Sequence, residues 1–338
     1  MAGIPNDLNT DACYEMVQET SNDARHFNTG AIMKILIPYD GSDCGDAALD
    51  DLRRAGLPEA AEVMVLSVGE VNSRLDKVAA LASSPGYYFP DDPEVGAINE
   101  GLENEARAIA ELAMDRLNVN FPKWRITSET IIDTPQSSIV DTADKWKPDL
   151  IVMGSHGRSG FRRLVLGSVS EHVLNHTKCS VRIGRHYACK RESIRVVIGT
   201  DGSPSATLAV KTVAARHWTD KTEVCVVGVV DSRAWLLASA TAEPGSLCVP
   251  VIEEELRREA SENVEQAIAE LKKAGLSAVS KIGTGIPGEI LVAEAQQWEA
   301  DCIFIGARGL NALGRICLGS VSTIVATRAH CSVEVVRE

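Results

Sequence analysis

The chain repeats itself, and that duplication limits its fold more than any other feature. The segment Lys34–Ser42 (KILIPYDGS) returns as Arg195–Ser203 (RVVIGTDGS), each a short apolar run closing on Asp-Gly-Ser. Val63–Val68 returns as Val224–Val229, so Val68 and Val229 each lie 28 residues beyond the Asp of their repeat. Asp149–Gly154 (DLIVMG) returns as Asp301–Gly306 (DCIFIG), and Cys179–Ile183 (CSVRI) as Cys331–Val335 (CSVEV). The offset is 161 residues from Asp40 to Asp201 and 152 from Cys179 to Cys331. The missing nine residues are assigned to Leu81–Gly101, a Pro-rich stretch read as a loop inserted in the first repeat, with a shorter counterpart at Ala242–Pro250. A short polar linker, about Arg185–Ser193, joins the repeats. The organisation is therefore an N-terminal extension over 1–30, a first domain over 31–186 and a second over 193–338.

Within each repeat, short apolar runs alternate with amphipathic segments. Leu102, Ala106, Ile109, Ala110, Ala113 and Leu117 give one apolar face to a helix predicted over Gly101–Leu117. Leu256, Ala260, Val264, Ala267, Ile268 and Leu271 do the same over Glu253–Lys273, whose acidic start suits a solvated first turn. Strand–helix alternation with short connections implies parallel strands and right-handed crossovers. Aromatic residues are only 4% of the chain, which leaves Val, Ile, Leu and Ala to build the core of such a sheet. The fold class is α/β: two tandem open, doubly wound sheets with helices on both faces.

Composition removes several function classes. With 338 residues, 45% hydrophobic and 24% charged, the chain reads as an ordinary globular protein of two domains. A net charge of −13 argues against nucleic-acid binding through bulk electrostatics, so a polyanionic ligand has to be held by local backbone N–H groups and a few arginines. The nine cysteines contain no C-x-x-C pair, which speaks against a zinc site or redox dithiol and for reduced, buried thiols. No run of 18 apolar residues occurs, so no membrane insertion is expected. Met1–Gly30 lacks the basic start and apolar stretch of a secretory signal, and a cytoplasmic location is expected.

Open parallel sheets bind ligands beyond the carboxyl ends of their strands, where strand order switches. Asp40 and Asp201 close the first strand of each repeat, and Gly154 and Gly306 close the fourth. From there both repeats obey G-x2-G-x9-G-S: Gly154, Gly157, Gly167, Ser168, and Gly306, Gly309, Gly319, Ser320. Glycines let a backbone approach phosphate closely, and a helix opening at Gly-Ser offers unpaired N–H groups with partial positive charge. The serine hydroxyl adds a hydrogen bond or reaches a metal carried by the ligand.

These residues together resemble the universal stress protein family, over both repeats from about Met33 to Arg337. The resemblance implies five-stranded parallel sheets of order 3-2-1-4-5, like the adenine nucleotide alpha hydrolases, with the domains pairing through their fifth strands, Ser180–Gly184 and Ser332–Val336. It implies ATP as ligand, the first-strand Asp and a second-strand backbone position holding adenine, and the glycine run holding ribose and phosphates; Mg2+ is expected only from the charge of ATP, with no dedicated carboxylate cage legible. Carried onto the first repeat, these are Asp40, Val68, Met153, Gly154, Gly157, Gly167, Ser168 and Val169. The second repeat offers Asp201, Val229, Ile305, Gly306, Gly309, Gly319, Ser320 and Val321. The implied function is an ATP-binding regulator of stress response, paired within the chain, with a homodimer of tandem chains and a downstream protein partner open. The second repeat departs at Leu310–Leu313, where Arg158–Phe161 stands in the first, and the first has Asp133-Thr-Pro where the second has Gly285-Ile-Pro.

Competing readings stand beside these. Asp40 and Asp201 suit helix capping, and glycines suit turns. Arg163 and Arg315 suit phosphate contact or a solvated face. His156 sits in the glycine run and suits phosphate contact when protonated. Cys179 and Cys331 read as structural thiols. The alternatives in function are slow ATP hydrolysis or autophosphorylation at Ser168 or Ser320, and a nucleotide-free scaffold. No Walker motif, no G-x-G-x-x-G after the first strand, and no general base beside the glycines is legible.

Overall fold

A computed structural model describes residues 32–70, 93–157, 166–186, 191–233, 248–309 and 318–337, all within one compact unit, Ile32–Arg337. The first repeat runs β1 (Met33–Pro38), α1 (Asp43–Asp51), β2 (Ala61–Gly69), α2 (Pro93–Asn120), β3 (Arg125–Ile132), α3 (Pro135–Trp146), β4 (Leu150–Gly154), α4 (Ser168–His176) and β5 (Ser180–Gly184). The second runs β6 (Arg195–Thr200), α5 (Pro204–Ala215), β7 (Glu223–Asp231), α6 (Cys248–Lys273), β8 (Ser277–Gly285), α7 (Pro287–Gln297), β9 (Cys302–Gly306), α8 (Ser320–Arg328) and β10 (Ser332–Val336).

The strands form one ten-stranded sheet of order β3-β2-β1-β4-β5-β10-β9-β6-β7-β8. Each half has the order 3-2-1-4-5 and is parallel throughout. The halves meet at their fifth strands, where β5 and β10 run antiparallel with Arg182 opposite Glu334. Central parallel strands are covered on both faces, which is why β4, β5, β9 and β10 are buried at every position.

The helices divide between the faces. Helices α3, α4, α7 and α8 cover a single core that runs across both repeats, from Leu66, Ile151 and Ile183 to Val333, Ile303 and Val197. On the other face, α1 and α2 cover Ile35, Val63 and Val152, while α5 and α6 separately cover Val196, Val226 and Phe304. A side chain such as Ile183, fully buried at the junction, is worth about 2–5 kcal/mol against truncation to Ala.

Two expected boundaries are corrected. Helix α2 begins at Pro93, not Gly101, so the second part of the stretch read as an inserted loop is helical. Proline is tolerated at a first helical position because that N–H has no intrahelical partner. Helix α6 begins at Cys248, not Glu253, and Pro250 falls in its first turn for the same reason. Residues 1–31, 81–92 and 242–247 lie outside the described residues. Arg185, read as the start of a polar linker, is 9% exposed and belongs to the junction. No described helix is long and apolar enough to cross a membrane.

Candidate functional site

The strand order switches between β1 and β4, and again between β6 and β9, so a crevice opens at the carboxyl ends of each pair. Asp40 follows β1 and Asp201 follows β6. Neither caps the next helix. Ser42 does so for α1, its Oγ accepting from Gly45 N at 3.1 Å, and Ser203 for α5, accepting from Ala206 N at 3.2 Å. Instead Asp40 and Asp201 form local turns, each Oδ1 accepting from the N–H two residues on, Ser42 or Ser203, at 3.0 Å. That turn aims the other carboxylate oxygen across the crevice. A Cβ placed on Gly157 would stand 3.1 Å from Asp40 Oδ2, and one on Gly309 would stand 2.6 Å from Asp201 Oδ2. The carboxylate and the second glycine of each run are thus the two lips of one crevice.

The first glycine of each run has a packing reason. A Cβ on Gly154 would lie 2.6 Å from the Cys44 carbonyl carbon, and one on Gly306 would lie 2.5 Å from that of Ser205. Here the amino ends of α1 and α5 rest directly on the strand ends. The third glycine is the N-cap of the next helix. Gly167 and Gly319 have extended backbone (φ −68 and −69) and provide no side-chain cap for α4 and α8. Their own N–H groups are used, donating to Ser155 O and Ala307 O at 2.8 Å, which closes the loop onto the strand end.

This leaves the first-turn amides of Ser168, Val169 and Ser170, and of Ser320, Val321 and Ser322, without intrahelical partners. Ser168 and Ser320 are exposed. Ser170 and Ser322 are buried, and their hydroxyls donate to Gly154 O at 2.9 Å and Gly306 O at 2.7 Å, pinning each helix start to its strand. Sequence reasoning missed this serine pair; its recurrence at one position in both repeats was the available signal.

Met153 and Ile305, each 5% exposed, belong to the shared core, and Val68, Val229, Val169 and Val321 pack against it. Their side chains face the core, so what they offer a crevice is backbone. His156 holds Ser155 Oγ at 3.1 Å through Nδ1, while its Nε2 is buried with no hydrogen-bond partner. Burial, with Arg185 nearby, pulls its pKa below the ordinary histidine value, so the imidazole is neutral near pH 7. The protonated state considered above is therefore disfavoured here; the equivalent position in the second repeat is Arg308. Burial pushes the Cys179 thiol up to about 11 and raises that of Cys331 further, as inert structural thiols require. Arg158, Arg163, Leu310 and Arg315 lie outside the described residues.

Fold and crevices together define a tandem open α/β protein of the doubly wound class, with one glycine-lined helix entrance at each strand-order switch. The chain belongs to the universal stress protein family, whose sequence profile matches residues 31–185 and 194–337. A universal stress protein of Methanocaldococcus jannaschii is 30% identical over 152 residues, spanning 44% of this chain and 80% of that one. One of Mycolicibacterium smegmatis is 26% identical over 315 residues, spanning 90% of this chain and 96% of its own length. Among solved structures, a universal stress protein of Archaeoglobus fulgidus superposes with a TM-score of 0.61 at 20% identity, covering 90% of this chain and 98% of that one.

Proposed function

We propose that the protein binds an adenine nucleotide, ATP with Mg2+, at one or both crevices and serves as a nucleotide-responsive regulator in stress response. The observation that carries this reading is a contrast at the strand-order switch of each half. Two helices begin beside each switch: those after the first strands, α1 and α5, have serine caps, while those after the fourth, α4 and α8, have glycine and none. Evolved helix starts without caps leave amides and partial positive charge for an anion. The phosphates would lie on the Ser168–Ser170 and Ser320–Ser322 amides, passing Gly157 and Gly309. Adenine and ribose would lie toward Asp40 and the Val68 backbone, or Asp201 and the Val229 backbone. Among the described residues no three His, Cys, Asp or Glu side chains group to hold a metal, so Mg2+ would arrive on the nucleotide. Differential affinity of two conformations for nucleotide would supply the switch.

Calorimetric titration with ATP, AMP and GTP tests the assignment on wild type, Asp40→Ala and Asp201→Ala. ATP binding weakened in at least one variant is the expected result. Undiminished binding in both removes the adenine assignment, and no binding in wild type removes the nucleotide.

A further inference from the structure

The helices that open the two crevices are each held at their far end by an arginine from the opposite repeat. Arg185 directly follows β5, and Arg337, its equivalent 152 residues on, directly follows β10. The Arg185 guanidinium donates to Ala326 O in the last turn of α8 and to Cys331 O at 3.1 Å. The Arg337 guanidinium donates to Leu174 O in the last turn of α4. Leu174 and Ala326 are themselves equivalent positions. The exchange extends to the backbone: Arg185 N donates to Ser332 Oγ at 3.0 Å, and Arg337 N to Ser180 Oγ at 3.1 Å. Each guanidinium therefore meets one last-turn carbonyl, Ala326 O or Leu174 O, that has no partner inside its helix, in surroundings dry enough to pull both arginine pKa values down.

We infer that Arg337 is a positioning residue for the first crevice and Arg185 for the second, so that each anion entrance is completed by the other repeat. Both helices are nine residues long, about 14 Å from end to end. So short an element has little of its own to fix its axis. At its amino end one serine pins it to the strand; at its carboxyl end the crossed arginine does. A cation at the carboxyl end and an anion at the amino end complement the same helix dipole. Loss of the arginine thus loosens the first-turn amides and removes a charge that favours the anion. For its ligand arm this rests on the nucleotide reading above.

The test is hydrogen exchange of the full chain, read by mass spectrometry in peptides covering 168–176 and 320–328, without ligand and through a titration of ATP with Mg2+. Arg337→Met is expected to speed ligand-free exchange in 168–176 and to weaken ATP protection there on the order of three- to ten-fold, leaving 320–328 near wild type. Arg185→Met is expected to do the reverse. Arg337→Lys and Arg185→Lys, which keep the cation, should recover part of the loss, and Arg185→Lys replaces the Met variant if that fails to fold. An effect in the variant's own repeat, an equal effect on both helices, or none overturns the inference. Should ATP protect neither peptide in wild type, the nucleotide reading falls, and ligand-free exchange alone decides whether the arginines act across the junction.

Discussion

Arg182 and Glu334 occupy the same position in the two repeats, carry opposite charge, and face each other across the β5–β10 ladder, Nη1 to Oε2 at 3.2 Å. Neither is exposed to solvent. Arg182 also takes both carboxylate oxygens of Asp51, at 2.6 and 3.1 Å, and Glu334 also takes Arg216. Ser332 Oγ donates to Asp51 Oδ1 at 2.8 Å. Two acids and two bases thus neutralise one another where the two halves join, and two copies of either half would instead set like charges face to face.

Arg182→Met is expected to cost about 3–5 kcal/mol, because it leaves carboxylates buried without their partner. Urea unfolding should show a lower midpoint at unchanged slope. Replacing Asp51, Arg182, Arg216 and Glu334 together by apolar residues of similar volume should return stability to wild type or above it. A loss for Arg182→Met of no more than about 1 kcal/mol would mean that the network is solvated like an ordinary surface pair.

The glycines of one run should separate by role. Gly154→Ala and Gly306→Ala each push a Cβ into helix backbone and should cost about 1–3 kcal/mol in thermal unfolding. Gly157→Ala meets only the Asp40 carboxylate, at 3.1 Å, and should leave the melting temperature nearly unchanged while lowering ATP affinity. The opposite pattern would reverse these assignments.

Capping gives a second separation. Ser42→Ala removes a working cap and should destabilise by about 1 kcal/mol, whereas Ser168→Ala, at a position that caps nothing, should cost little. Gly319→Asp supplies α8 with the cap it lacks and puts a negative charge at its entrance. Its stability should hold or rise while ATP affinity at the second crevice falls by about ten-fold or more. Undiminished binding there, measured by protection of peptide 320–328, would place the phosphates elsewhere.

Alkaline pH should unfold the protein for a stated reason. Burial raises the thiols of Cys179 and Cys225 to about 11 and that of Cys302 to about 12. Burial, then the hydrogen bond to Asp46, raises the Tyr39 hydroxyl to about 12. An unfolded chain releases these protons first, from about pH 9 for the thiols and pH 10 for tyrosine, so the folded state binds more protons in that range. Stability is then full below pH 9 and falls as pH climbs toward 12, by up to about 1.4 kcal/mol per group and pH unit. Thiolate absorbance at 240 nm should lag behind that of the urea-unfolded chain; coincident curves would refute the burial of these thiols.

Much of this was legible along the chain. Strands β4 and β9 could be located because a strand covered on both faces is apolar along its length, and β1, β2, β5, β6, β7 and β10 because they recur between the repeats. The Asp-Gly-Ser turns and the Gly-Ser helix starts are local devices, and short-range chemistry is what spacing reports. The pairing of the two repeats through their final strands was expected from the resemblance to the universal stress protein family, and β5 does pair with β10. The starts of α2 and α6 were misplaced because a proline near a helix start and a proline in a loop look alike in sequence.

Duplication and the residues at the two lips of each crevice were therefore determined by the sequence itself, through patterns that repeat within a few residues or at a fixed offset, and the strand order came with the family resemblance those patterns carry. The tertiary structure alone decided which polar residues are buried and against what. No pattern in the sequence marks Arg182, Glu334, Asp51 or Arg337 as residues of the junction, and Arg185 reads there as the start of a polar linker. Their partners lie more than 100 residues away along the chain, Asp51 131 residues from Arg182 and Leu174 163 residues from Arg337. A charge becomes a structural element only when folding removes its water and supplies the opposite charge or a helix carbonyl, and no local pattern records that exchange.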